Sequence, residues 1–84
     1  MFTSIPAITG KQLISLLQKN GWVIGRKAKH GITLTKRIGN RTRVTFVPDT
    51  RASLPNGTLS AILGASQTGL SKRGLLALLN KYGR

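Results

Sequence analysis

Gly31-Ile32-Thr33-Leu34-Thr35-Lys36-Arg37-Ile38-Gly39-Asn40-Arg41-Thr42-Arg43-Val44-Thr45-Phe46-Val47-Pro48 is the stretch whose reading decides the fold. In its first half Ile32, Leu34 and Ile38 share one parity, interrupted by Lys36, while Thr33, Thr35 and Arg37 share the other. That period of two marks a half-buried strand. Gly39-Asn40 is turn chemistry, after which Thr42, Val44 and Phe46 alternate against Arg41, Arg43 and Thr45 until Pro48 stops the run. The two halves read as a hairpin, but their parities conflict. A two-residue turn pairs Ile38 with Arg41 and sets Leu34 opposite Thr45, apolar against polar. A three-residue connection or a bulge around Gly39 to Arg41 pairs Leu34 with Phe46 instead, so an odd loop is expected there.

Working outward, Trp22-Val23-Ile24-Gly25-Arg26-Lys27 is rich in aromatic and β-branched residues and suits a short first strand. Before it, Thr9 with Gln12 three residues later forms a capping box. Leu13, Leu16 and Leu17 then make an apolar stripe that ends at Gly21, a left-handed stop, so a helix is predicted over about residues 10–20. Beyond the hairpin, Asp49 to Asn56 is a polar, Pro-punctuated loop, and Gly57-Thr58-Leu59 opens a second helix carrying Ile62 and Leu63. Gly69 interrupts; Ser71 can cap a third helix with Leu75, Leu78, Leu79 and Tyr82 as its stripe. The order αβββαα describes one α+β domain spanning residues 1–84, since 84 residues hold a single modest core and no separate cofactor module. No cofactor is expected. Trp22, opening a strand after a helix stop, is read as a core anchor rather than a base-stacking residue.

The charge balance narrows the partners. Fourteen Lys and Arg face one acidic residue, Asp49, for a net charge of +13. Eight of those cations, Arg26, Lys27, Lys29, Lys36, Arg37, Arg41, Arg43 and Arg51, fall between residues 26 and 51. Each Lys or Arg laid on a phosphate releases condensed counterions, so this domain is expected to bind a polyanion, with nucleic acid foremost. The longest apolar run, Leu75 to Leu79, is far too short to span a bilayer. Met1 to Pro6 lacks the pattern of a secretory leader, and the chain has no cysteine, so a cytoplasmic location is expected.

One carboxylate rules out a carboxylate dyad, a two-metal site and a triad with a second acid, and no His/Asp/Glu cage for a metal can be assembled. His30 is the only side chain whose ordinary titration lies near neutrality. Chemistry compatible with one imidazole among cations is metal-free RNA cleavage. A base takes the ribose 2′-OH proton, that oxygen attacks the adjacent phosphate, and Arg26, Lys27 and Lys29 stabilise the growing charge. The bland reading of His30 is a solvated loop residue or a packed strand residue. Its parity matches Ile32 and Leu34, while Gly31 is able to rotate the chain, so the register there is open.

Several blocks resemble the HicA family, the toxin half of HicA/HicB toxin-antitoxin pairs. Gly10-Lys11-Gln12-Leu13-Ile14-Ser15-Leu16-Leu17 followed by Asn20-Gly21-Trp22-Val23 is similar to the family's opening, and Val44-Thr45-Phe46-Val47-Pro48 to its third strand. Pro55-Asn56-Gly57-Thr58-Leu59-Ser60-Ala61-Ile62-Leu63 and Thr68-Gly69-Leu70 resemble its second-helix motif. The ordered set covers about residues 9–70. The resemblance implies a double-stranded-RNA-binding-domain-like fold, with helices on one face of a three-stranded antiparallel sheet. It also implies a metal-independent messenger-RNA endonuclease using one histidine of a Gly-Ser-His motif, and a HicB-like antitoxin as partner. Here Ala28-Lys29-His30 stands in that place, without the Gly and Ser. The resemblance carries the catalytic role to His30; the charge cluster supplies Arg26, Lys27, Lys29, Lys36, Arg37, Arg41 and Arg43 as the expected RNA-binding set. Residues 71–84 extend past the family's usual end. Two other readings stand beside it: a non-catalytic RNA-binding module of the same fold, and a structural component of a ribonucleoprotein.

Overall fold

The computed structural model describes residues 4–83. Met1 to Thr3, the start of the segment read for a leader, and Arg84, the end of the predicted extension, lie outside the described residues. The chain forms α1 (Gly10–Lys19), β1 (Val23–Ala28), β2 (Gly31–Ile38), β3 (Arg41–Val47), α2 (Asn56–Leu63) and α3 (Ser71–Tyr82). It is a small α+β fold: a three-stranded antiparallel sheet in the order β1-β2-β3, with three helices.

α1 begins and ends as its sequence dictates. Gln12 N donates to Thr9 Oγ1 at 3.1 Å and Thr9 N donates to Gln12 Oε1 at 2.9 Å, a complete capping box. At the other end Gly21 takes φ 94, its N–H donates to Gln18 O, and Trp22 N donates to Leu17 O. This pair of bonds is the Schellman arrangement that a left-handed residue permits. α1 lays Leu13, Leu16 and Leu17 on the sheet's inner face, where they join Trp22, Ile32, Leu34 and Val47. Each such buried side chain contributes about 1.5–3 kcal/mol of transfer free energy. Leu59, Ile62 and Leu63 of α2 and Leu75 and Leu79 of α3 complete the same core. Trp22 is buried, as expected for an anchor.

The hairpin differs from expectation. No odd loop or bulge is present between β2 and β3: Gly39-Asn40 is a two-residue turn, Ile38 pairs with Arg41, and Leu34 pairs with Thr45. Gly39, at φ 61, supplies the positive φ that such a tight turn demands. The polar parity of β3 therefore faces inward. Thr45 is 1% exposed, and its hydroxyl donates to Gln67 Oε1 at 2.6 Å. Arg43 Nη1 donates to the Ala65 and Gln67 carbonyls at 2.7 and 3.1 Å. These partners satisfy the inward polar groups, which is what makes the register tolerable. The irregularity lies on the other side of the sheet, where β1 carries a bulge between Ile24 and Arg26.

Ser71, at φ 62, is the first residue of α3 and not its predicted cap: the N-cap position is Leu70, which offers no side-chain hydrogen bond, and Ser71 Oγ makes only a long 3.5 Å contact with Gly74 N. No helix among the described residues is long and apolar enough to cross a membrane.

Candidate nucleic-acid interface

His30 sits with Lys29 in the tight turn between β1 and β2, closed by the Ala28–Gly31 pair. The side chain is exposed, which resolves the parity ambiguity in favour of the turn. Among the described residues its ring makes no hydrogen bond or ion pair. Gly31 is required immediately after it. A Cβ there would meet Val47 O at 2.6 Å and Phe46 Cζ at 2.5 Å, because the Phe46 ring lies across the Gly31 backbone. This close approach holds the β1–β2 turn against the end of β3.

The predicted cations divide into groups that the linear cluster did not reveal. β2 spans about 23 Å over its eight residues, so its two turns lie at opposite ends of the sheet. Arg26, Lys27 and Lys29 share the His30 end, and the loop holding Arg51 leaves β3 at that same end. Arg37 and Arg41 flank the Gly39-Asn40 turn at the far end. All six are exposed, and among the described residues none has a hydrogen bond or ion pair. Lys36 and Arg43 are different. Lys36 Nζ donates to Asn20 O at 2.7 Å, holding the negative end of α1, and Arg43 pins the α2–α3 loop. One Lys36 N–H bond and the Arg43 Nη1 group are thus engaged on backbone carbonyls, a structural tie that the six exposed cations do not have.

This division is measurable. Lys36→Met, which keeps the aliphatic stem, is expected to cost about 1 kcal/mol of stability in a thermal melt. It is expected to leave the salt dependence of RNA binding unchanged. Lys29→Ala is expected to leave the melt unchanged and to reduce the slope of log affinity against log salt by about one. Equal slope changes in the two variants would contradict the division.

The sole carboxylate is occupied: Asp49 Oδ1 receives Lys11 Nζ at 2.9 Å on the surface. Among the described residues no three His, Cys, Asp or Glu side chains come together as a metal cage. A groove of about 670 Å³ lies apart from His30, between the segment before α1 and helices α2 and α3, with Lys72 and Arg73 on its rim. His30 lies on none of its walls.

The outer face of the sheet contains what sequence reasoning missed. Val44 and Phe46, expected inside with Leu34, stand outward at 50% and 42% exposure, beside Val23 at 63%. The parity conflict in the hairpin is the signal for this: the two-residue turn keeps the conflict, and the expected odd loop is absent. The β1 bulge has a parallel effect: with Ile24 opposite Leu34 and Arg26 opposite Thr33, Arg26 is turned onto the outer face. No family model, no curated protein and no solved structure matches this chain.

Proposed function

We propose that this chain is a HicA-like toxin, a metal-independent endoribonuclease that cleaves messenger RNA in the cytoplasm and is held inactive by an acidic HicB-like antitoxin. The observation that carries the reading is the placement of the single imidazole: His30 projects from an exposed turn, free of any carboxylate, with Arg26, Lys27 and Lys29 at the same end of the sheet. The helix-strand-strand-strand-helix order, with the helices against one face, is compatible with the double-stranded-RNA-binding-domain-like fold that the resemblance implies.

The chemistry follows from these groups. The neutral imidazole of His30 accepts the 2′-OH proton; the 2′-oxygen forms a bond to the adjacent phosphorus as the bond from phosphorus to the 5′-oxygen breaks. The departing 5′-oxygen takes a proton from the imidazolium or from water. Lys29 and its cationic neighbours balance charge on the non-bridging oxygens. The products are a 2′,3′-cyclic phosphate and a 5′-hydroxyl. An antitoxin rich in Asp and Glu complements a +13 domain that carries one carboxylate of its own.

Expression of the wild type is expected to arrest growth with loss of messenger RNA, His30→Ala is expected to permit growth, and co-expression of an acidic partner is expected to relieve the arrest. Growth arrest by His30→Ala equal to that of the wild type would overturn the catalytic part of this reading. An RNA-binding module without catalysis predicts that equality.

A further inference from the structure

We propose that the outer face of the sheet is a track for single-stranded RNA, with Phe46 stacking on the base beside the phosphate presented to His30. The proposal rests on the reading of His30 as an RNA-cleaving residue and adds the surface that would hold the substrate.

Beyond the Ala28–Gly31 pair that closes the His30 turn, three cross-strand rows make up this face. The first runs Arg26, Thr33, Phe46; the next runs Val23, Thr35, Val44; the last is Arg37 with Thr42. Cations thus stand at both ends of a surface whose middle is apolar and hydroxyl-bearing, and no acidic residue lies on it. A positively charged surface interleaved with an exposed aromatic ring is the arrangement that binds single strands without duplex geometry, since each base offers a flat face for stacking.

Two features of the chain are difficult to explain otherwise. β3 buries Thr45 and turns Val44 and Phe46 outward, although a bulge would have reversed this. β1 does carry a bulge, and its effect is to bring Arg26 onto the face that holds Phe46. Departures from local pattern that leave apolar groups in solvent concentrate at functional surfaces. Packing on Gly31 explains why one edge of the Phe46 ring is covered. It does not explain why the ring remains 42% exposed or why Val23 and Val44 extend the patch. That packing also fixes the ring one residue from His30. A second copy of this chain is disfavoured as occupant by the repulsion between two +13 domains.

The test is fluorescence anisotropy with a labelled single-stranded oligouridylate and a labelled RNA duplex, on the full chain carrying His30→Ala so that the probes stay intact. Phe46→Leu keeps an apolar side chain over Gly31 and removes the aromatic face; Phe46→Tyr keeps both. Phe46→Leu is expected to weaken oligouridylate binding about five- to a hundredfold, with the melting temperature and duplex binding unchanged, and Phe46→Tyr to bind as the parent does. Oligouridylate binding by Phe46→Leu equal to the parent's would overturn the proposal, as would an equal loss for duplex and single strand. A Phe46-dependent affinity for polyglutamate, with RNA binding unaffected, would overturn it in favour of an acidic protein on this face. The two readings fail separately. Cleavage that survives His30→Ala removes the catalytic role and leaves the track to the anisotropy result. Normal binding by Phe46→Leu alongside loss of cleavage in His30→Ala removes the track alone.

Discussion

His30→Ala is expected to slow RNA cleavage by about a hundred- to ten-thousandfold, the range over which a positioned proton-transfer group acts. RNA affinity should be unchanged, because the cations proposed to meet the phosphates are separate side chains on β1 and in the turn. The fold should not register the change either: the ring is exposed and, among the described residues, holds no partner. A gel-based rate assay with a direct binding measurement separates the effects. Loss of cleavage with intact binding assigns His30 to chemistry, whereas loss of both in proportion would make it a contact for the phosphate and not a base.

The second large effect is on stability. Gly10→Ala is expected to destabilise the domain even though alanine is the better helix former. A Cβ at position 10 would run into the Pro48 carbonyl oxygen and lie 3.1 Å from Thr50 Cγ2. The first contact is with backbone at the exit of β3, which cannot swing aside as a long side chain would. Nearby, Lys11 N donates to Thr50 O and Leu54 N donates to Ile8 O, so the loop after β3 is tied to the start of α1 on both sides of the clash. Relieving it means parting α1 from that loop. We expect a net cost of about 2 kcal/mol after the helical gain, and a melting temperature lower by roughly 8–16 °C for a domain of this size. An unchanged or raised melting temperature would contradict the close approach of α1 to Pro48.

What was legible in the sequence was what local bonds determine. The capping box of Thr9 and Gln12, the left-handed stop at Gly21 and the apolar stripe between them act within one helix, and all are found. The alternation of β2 likewise depends on its own residues. The register of β3 depended on something a strand pattern does not contain. Thr45 can be buried because Gln67 accepts its hydroxyl proton, and Arg43 can lie beside it because carbonyls of the α2–α3 loop receive its guanidinium. Those partners lie more than twenty residues downstream. Without those partners, agreement of apolar parities favours an odd loop, which the chain does not form.

The candidate site was legible in composition more than in arrangement. His30 stood out as the sole imidazole, and Lys27, Lys29 and Arg26 do share its end of the sheet. Nothing in the sequence set Lys36 and Arg43 apart from the other cations of the cluster, since engaging a carbonyl across the fold leaves no local mark. Phe46 was misplaced for the same reason that the register was.

The account depends on a 2′-oxygen attacking phosphorus with His30 as the proton acceptor, and the chemistry of the fragment ends tests it most directly. Purified wild-type protein is incubated with a long RNA in EDTA, and the new termini are analysed by mass spectrometry. The account predicts 2′,3′-cyclic phosphates paired with 5′-hydroxyls from the wild type and none from His30→Ala. Intact RNA with the wild type, 5′-phosphate ends, or the same cyclic ends from His30→Ala would contradict it.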